Sequence, residues 1–403
     1  MSGDAYLFDA VRTPRGKGKP GGALASVKPA ELVRQLVEAL RSRHGTEAVD
    51  AAERLVLSCV GQIGAQGGHI AMVSKLHAGL PERVAAQTLN NFCAGGLSAI
   101  GTAAAAVSSG AAGLVLAGGV ESMSQVPFLA DRADYYADPD TARALAYVPV
   151  ALAADYLAHV RGVERAELDA ATLESHRRAH FAWEEGRYES SVVAVRAAGG
   201  GVALDRDEAI RPDLTVEKLA SLPPAFVELG QSGFDDVIAA RKPGMGVIEH
   251  RHTNANCPPV ADGAALAMIG SAGAGAARGL RPRARIVRVV EAGGDPVEQL
   301  TAGMAALERL LAECRLTLGE ADLIEYMEAF AVVPVLFLRD TGVDPAIVNV
   351  NGGHLAMGHP MGATGALLVA TLLAEMERRD LERGIVVAHG GSGVGVAALL
   401  ERA

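Results

Sequence analysis

Cys93 lies in the run Gln87-Thr88-Leu89-Asn90-Asn91-Phe92-Cys93-Ala94-Gly95-Gly96-Leu97-Ser98-Ala99-Ile100, where small residues follow it at once and lead into a stretch with helical character. A cysteine at the mouth of a buried helix has its thiolate favoured by the helix N-terminus, and the thiolate is the reactive form. Far along the chain, the segment Asn351-Gly352-Gly353-His354-Leu355-Ala356-Met357-Gly358-His359-Pro360-Met361-Gly362-Ala363-Thr364-Gly365 places His359 in a turn with five glycines around it. Such a segment gives up conformational entropy to hold one side chain in place. A cysteine nucleophile and a histidine on a glycine-rich turn point to covalent acyl transfer. Free cysteine is usually a small buried hydrophobe. The glycines after Cys93, which let a ligand approach the backbone, separate it from Cys59 and Cys314, both read as structural, and from Cys257.

These two segments need a scaffold, and the chain has the material for one. Its 403 residues are 50% hydrophobic and only 4% aromatic, with 47 glycines, which suits close packing of helices on sheets. A formal net charge of −10 argues against a general nucleic-acid binder. The four cysteines show no CxxC pairing, so neither a zinc site nor a disulfide framework is indicated. The N-terminus lacks a basic-then-apolar signal and no apolar run is long enough to span a membrane, so a cytoplasmic enzyme is expected. Ala5–Arg12 reads as a strand, residues 28–44 as a helix, Arg54–Cys59 as a strand, residues 94–109 as a buried helix and Leu114–Gly119 as a buried strand. This alternation predicts a mostly parallel sheet. Between about 126 and 251 charge and aromatics rise and the strands thin out, as in an inserted lobe. Alternation then resumes: Pro282–Val290 is strand-like, 296–315 helical, Leu323–Met327 apolar, and Gly384–Ala397 a strand running into glycines, much like Leu114–Gly119. A weak internal duplication follows.

The two chemical segments together resemble the thiolase family. Gly358-His359-Pro360 matches its Gly-His-Pro turn and Glu328-Ala329-Phe330-Ala331 its Asn-Glu-Ala-Phe segment. Arg12-Thr13-Pro14, Gly118-Gly119-Val120-Glu121-Ser122-Met123-Ser124 and Asp262-Gly263-Ala264-Ala265 also match. The resemblance covers nearly the whole chain and is closest to the degradative 3-ketoacyl-CoA thiolases. It implies two similar α/β halves in a five-layer αβαβα core. Residues 1–125, completed by 252–275, would form the first half, 126–251 an inserted CoA-binding lobe, and 276–403 the second half. It implies that Cys93 is acylated, that His359 assists, and that Gly391 and Cys93 offer oxyanion amides. The residue before Glu328 is Met327 where the family has Asn or His. A thioether cannot donate a hydrogen bond, and losing one oxyanion donor costs about 3–4 kcal/mol. Where the family has its second, proton-moving cysteine the chain has His389, which can also exchange protons.

By the same resemblance Arg211 is either a contact to the CoA nucleotide or a solvated charge. Pro258 stands where many thiolases have a Ser against the pantetheine arm. His354 replaces a small residue and either faces the acyl pocket or packs. No metal or permanently bound cofactor is implied, a coenzyme A thioester being the substrate, and a homodimer or homotetramer is expected. Three functions stand open: thiolase-type acyl transfer with thiolytic cleavage or Claisen condensation; a specialised acyltransferase with a non-standard acceptor; and a catalytically weak structural subunit of a fatty-acid-oxidation complex.

Overall fold

The structure, a computed structural model, describes residues 3–403. In chain order its principal elements are β1 (Ala5–Arg12), α1 (Pro29–His44), β2 (Arg54–Ser58), α2 (Ile70–His77), β3 (Ala85–Leu89), α3 (Gly95–Ser108) and β4 (Leu114–Ser122). After the intervening helices α4 (Val150–Val160) and α5 (Arg165–Glu184) come β5 (Ala261–Gly270), β6 (Ala284–Gly293), α6 (Ala302–Cys314), β7 (Leu323–Tyr326), α7 (Val332–Thr341), α8 (Thr364–Arg378), β8 (Arg383–Gly390) and β9 (Val394–Arg402). Local chemistry explains the outer helices. In α1, Pro29 opens the first turn, Glu31 lies near the positive end of the dipole, and Arg41, Arg43 and His44 lie near the negative end. Its Leu32, Val33, Leu36, Val37 and Leu40 form the buried face.

The strands run β3-β2-β4-β5-β1 in the first half and β7-β8-β9-β6 in the second, and a short antiparallel ladder from Ala5–Leu7 to Ala284–Ile286 joins the halves. The two orders correspond. In each half the first strand (β1, β6) lies innermost, the last strand (β5, β9) beside it, and then the strand that follows the central helix (β4, β8). Val348 bridges Ile324 where the first half has its edge strand β3. The expected mostly parallel sheet is not what forms. Only β2–β3, β2–β4 and β7–β8 are parallel, while β4–β5, β5–β1, β1–β6, β6–β9 and β9–β8 are antiparallel. A strand buried on both faces reads as a continuous apolar run in either direction. The stretch read as one strand running into glycines is two strands, joined through Gly391–Gly393, a connection too short for anything but a hairpin.

Helices α3 and α8 lie between the halves and touch strands of both. Both are apolar nearly all round, as a helix sandwiched between sheets must be. Glycine permits their approach: a Cβ on Gly96 would lie 2.8 Å from the Ala366 amide, and one on Gly365 would lie 2.3 Å from that of Leu97. With α1 and α2 outside one half and α6 outside the other, the core has five layers. Short helices and a small hairpin (Val195–Arg196 with Val202–Leu204) fill the interval between β4 and β5. Among the described residues no helix is long and apolar enough to cross a membrane.

Candidate active site

The pseudo-repeat explains how residues so distant in sequence meet. Cys93 lies in the loop before α3 and His359 in the loop before α8, the equivalent places of the two halves. The chain leaves β3, and Phe92 adopts a left-handed φ of 46° immediately before Cys93. The Asn90 Oδ1 accepts the Phe92 N–H at 2.9 Å, and Asn91 donates to the Ser98 hydroxyl at 2.9 Å. These bonds fix the sharp turn that presents the sulfur at the head of α3. The His359 turn is held on three sides. Its N–H donates to the Pro259 carbonyl at 2.8 Å. The buried Arg15 guanidinium donates to the Gly358 carbonyl at 3.0 Å. The His359 Nδ1 pairs with the Thr364 hydroxyl at 2.7 Å, so Nε2 is the nitrogen left for chemistry.

Cys93, His359, His389, Gly390, Gly391 and Pro258 line one pocket of about 580 Å³, counting its open mouth. The rest of the wall is apolar, including Met123, Phe128, Val150, Leu300, Phe330 and Met361, with no Lys, Arg, Asp or Glu. The backbone N–H groups of Gly391 and of Cys93 itself favour the Cys93 thiolate. Burial nevertheless wins, aided by the negative field of Glu121, and the thiol is pushed up to about 12. The amides at the helix N-terminus lower the thiol's pKa as expected, and desolvation of the anion outweighs them. His359 is pushed down to about 3, first by burial, then by the positive field of Arg15 and by His389. The resting pair is thus a neutral thiol and a neutral imidazole.

His389 is in the pocket wall, but both its ring nitrogens are sealed from solvent and lack a partner. Burial alone pushes it to about 3. Its ring is tilted against Tyr326 at a centroid distance of 5.7 Å, and Tyr326 in turn stacks on Phe337 at 4.0 Å. Gly303, on α6, makes room for the ring, since a Cβ there would lie 2.8 Å from the His389 Nδ1.

The other residues singled out from the sequence are not among those lining the pocket. Met327 is fully buried, with its N–H donated to the Val387 carbonyl at 3.0 Å. The Glu328 carboxyl accepts from the Ser175 hydroxyl at 2.7 Å, the Asn349 amide at 3.2 Å and the Leu355 N–H at 3.2 Å, bracing the glycine-rich loop from behind. Desolvation raises its pKa. His354 is buried edge-on against His359, with ring centroids 5.6 Å apart and both nitrogens unpartnered. Arg211 is exposed and caps His176, whose Nδ1 accepts the Arg211 N–H at 3.0 Å. Burial and the Arg211 charge push His176 down to about 4.

Sequence reasoning missed Thr364, Glu121 and Gln299. Thr364, five residues beyond His359, is the one a local pattern could have shown. Glu121 gathers the N–H groups of Val60, Gly61 and Gly362 at 2.9–3.0 Å and so ties three segments together behind Cys93. Among the described residues no cluster of three or more His, Cys, Asp or Glu is arranged to hold a metal ion.

Comparison with known proteins agrees with this geometry. Residues 5–233 match the thiolase N-terminal domain model and residues 280–402 the thiolase C-terminal domain model. The chain is 35% identical to a β-ketoadipyl-CoA thiolase of Pseudomonas knackmussii, with all of both chains covered, and 33% identical to a 3-ketoacyl-CoA thiolase of Aeromonas hydrophila over 99% of each. The crystal structure of the Bacillus anthracis acetyl-CoA acetyltransferase superposes with a TM-score of 0.85 at 30% identity, covering 100% of this chain and 99% of that one. An α/β core of two like halves, a cysteine at the head of one central helix and matches over both halves lead to one conclusion: the chain belongs to the thiolase family, acyltransferases that work on coenzyme A thioesters through an active-site cysteine.

Proposed function

We propose that Cys93 is the residue acylated and that His359 Nε2 takes its proton as the sulfur attacks. An apolar acyl-CoA loses CoA, whose thiolate recovers that proton. A 3-ketoacyl-CoA, attacked at its 3-keto carbon, loses an acetyl-CoA carbanion that His389 protonates. The observation that carries this reading is that Cys93, His359 and Gly391 line one pocket, where the Gly391 and Cys93 amides favour the Cys93 thiolate. Amides that favour the thiolate are also donors for the carbonyl oxygen as it gains charge. Because thiol and imidazole are both neutral at rest, proton transfer and attack are coupled rather than preceded by an ion pair. The acyl group then passes to the CoA thiol in cleavage or to an acetyl-CoA carbanion in condensation, with His389 moving the proton after its ring turns a nitrogen into the pocket.

The lining also supports a substrate class. A β-ketoadipyl group, named for one relative, ends in a second carboxylate. Burying that charge with no cation in the wall costs several kcal/mol, so the acyl chain taken here is uncharged. The interval 126–251 is the lobe that receives CoA, since Phe128 and Val150 line the mouth. Arg211 is a nucleotide contact, with Pro258 replacing a polar contact to the pantetheine arm. Four free cysteines suit a cytoplasmic setting. The unpaired edge of β3, flanked by exposed Val73 and Leu76 on α2, suits pairing with a second copy, as a homodimer or a tetramer of such dimers.

A second reading has its own support. Met327 offers no hydrogen-bond donor, and the His389 nitrogens are sealed. Both features weaken the carbon–carbon step while leaving the loading step intact, as an acyltransferase with an amine or hydroxyl acceptor would require. Intact-protein mass spectrometry after acetyl-CoA and acetoacetyl-CoA, with free CoA added afterwards, tests the proposal. An adduct on Cys93 that CoA discharges is the expected result. An adduct from acetyl-CoA alone, with none from acetoacetyl-CoA, selects the second reading, because loading from the 3-keto thioester must break a carbon–carbon bond. No adduct from either thioester contradicts both and points to a structural subunit.

A further inference from the structure

The turn that carries Gly391 is held from outside the site. Ser392 is left-handed, with φ 62°, and its N–H donates to the Gln299 Oε1 at 2.8 Å. Gln299 is 2% exposed and itself left-handed, with φ 50°. Its Nε2 donates to the Val148 carbonyl at 2.8 Å, so both ends of one buried amide are used. The Ser392 hydroxyl pairs with the Tyr135 hydroxyl at 2.8 Å, and Tyr135 meets Tyr147 edge-on at 5.1 Å. The Gly393 carbonyl accepts the Gly294 N–H at 2.7 Å. Lys242, from the same interval as Tyr135 and Val148, donates to Asp295 at 2.7 Å and to Glu298 at 2.9 Å. The segment 294–299 is therefore a strap, fastened on one side to the inserted lobe and on the other to the glycine turn. Val148 is two residues from Val150, which lines the pocket mouth.

We propose that Gln299 is a positioning residue that sets the Gly391 amide for the thioester oxygen, with Tyr135 as its helper, and that through them the lobe governs that amide. The inference rests on the reading of Cys93 as nucleophile and Gly391 as oxyanion donor. A side-chain amide suits the task because it accepts from the turn and donates to the lobe at once, which no apolar residue of its size can do. Misplacing a donor by a fraction of an ångström weakens it most where charge develops, so the effect falls on the reacting complex rather than on substrate affinity.

The test compares Gln299→Leu and Tyr135→Phe with the parent enzyme, using two reactions of Cys93. Acylation by acetyl-CoA passes through an oxyanion, whereas alkylation by iodoacetamide at one fixed pH does not. Gln299→Leu is expected to lower the limiting acylation rate by at least about tenfold. The half-saturating acetyl-CoA concentration should stay within about threefold, and alkylation, which loses only the amide's help to the thiolate, should fall by clearly less than acylation. Tyr135→Phe removes one hydroxyl from a half-buried ring, folds regardless, and is expected to give a smaller loss of the same kind, about threefold. Acylation unchanged in both variants, or alkylation falling in step with acylation, overturns the clamp. A parent that forms no acyl-Cys93 overturns the nucleophile assignment and the clamp with it. A parent that does, with variants equal to it, overturns the clamp alone.

Discussion

His359 and His389 share a pocket and a pKa held far below the usual imidazole range, and they differ in what holds them. His359 has one nitrogen tied to Thr364 and its turn pinned by Arg15 and by the Pro259 carbonyl. His389 has neither nitrogen partnered and is wedged by shape between Tyr326 and Gly303. Hydrogen bonds fix a tautomer and an approach direction, and packing fixes only a volume. On the proposed roles, the half of the site that loads the acyl group from acetyl-CoA would be organised in advance, and the half that carries the carbon–carbon step would have to move a ring before it could act.

Removing the nucleophile should erase both sides of this contrast: Cys93→Ala is expected to lower turnover by at least about 10³-fold and to leave no acyl adduct by mass spectrometry. His389→Ala divides the two sides. Acylation of Cys93 by acetyl-CoA should stay within about threefold while turnover falls by about 10²-fold, the usual contribution of a general acid or base. Loss of acylation itself would show that the two histidines are not separable. Thr364→Val probes the other side. It keeps the shape and removes the bond to His359 Nδ1, and should slow acylation by acetyl-CoA about tenfold, roughly 1.4 kcal/mol, and slow discharge of a preformed adduct by CoA, the reverse of that step, by a similar factor.

A pH profile sharpens the contrast further. The thiolate is the reactive form, and burial pushes the thiol up to about 12. Alkylation of Cys93 by iodoacetamide should therefore keep rising from pH 7 to 10. Burial pushes both histidines down to about 3, so no histidine step should appear between pH 5 and 8. A plateau reached below pH 8 would mean that Cys93 and His359 form an ion pair at rest. The smallest expected effect concerns His389 as a packed body. Gly303→Ala should cost about 1–3 kcal/mol in urea unfolding, as overpacking does, and most of that loss should vanish when His389→Ala is present as well. Equal costs in both backgrounds would place the ring elsewhere.

What the sequence made legible follows the same division. Cys93 and His359 are flagged by their immediate neighbours, because a tight turn and a close backbone approach demand glycine locally. The paired halves were legible as recurring apolar runs, but strand direction was not, since β8 and β9 bury both faces and show no alternation. The pull of a helix terminus on Cys93 is visible in sequence, whereas the desolvation and the field of Glu121 that oppose it are not. Gln299 left no signal at all: its partner Ser392 is 93 residues away, and Tyr135 is 257 residues from Ser392. Contacts of that separation belong to the assembled fold, and an isolated Gln before a helix has no pattern to announce it.

The central claim is that loading is organised in advance and release is not. Quenched-flow mixing with acetyl-CoA alone, with acyl-Cys93 and acetoacetyl-CoA counted at each time, measures this directly, because loading then breaks only the thioester and the carbon–carbon step falls in release. The account predicts a burst in which acyl-enzyme rises to about one per site before steady turnover begins. Steady turnover with almost no acyl-enzyme present would mean that release is the faster step, and would contradict it.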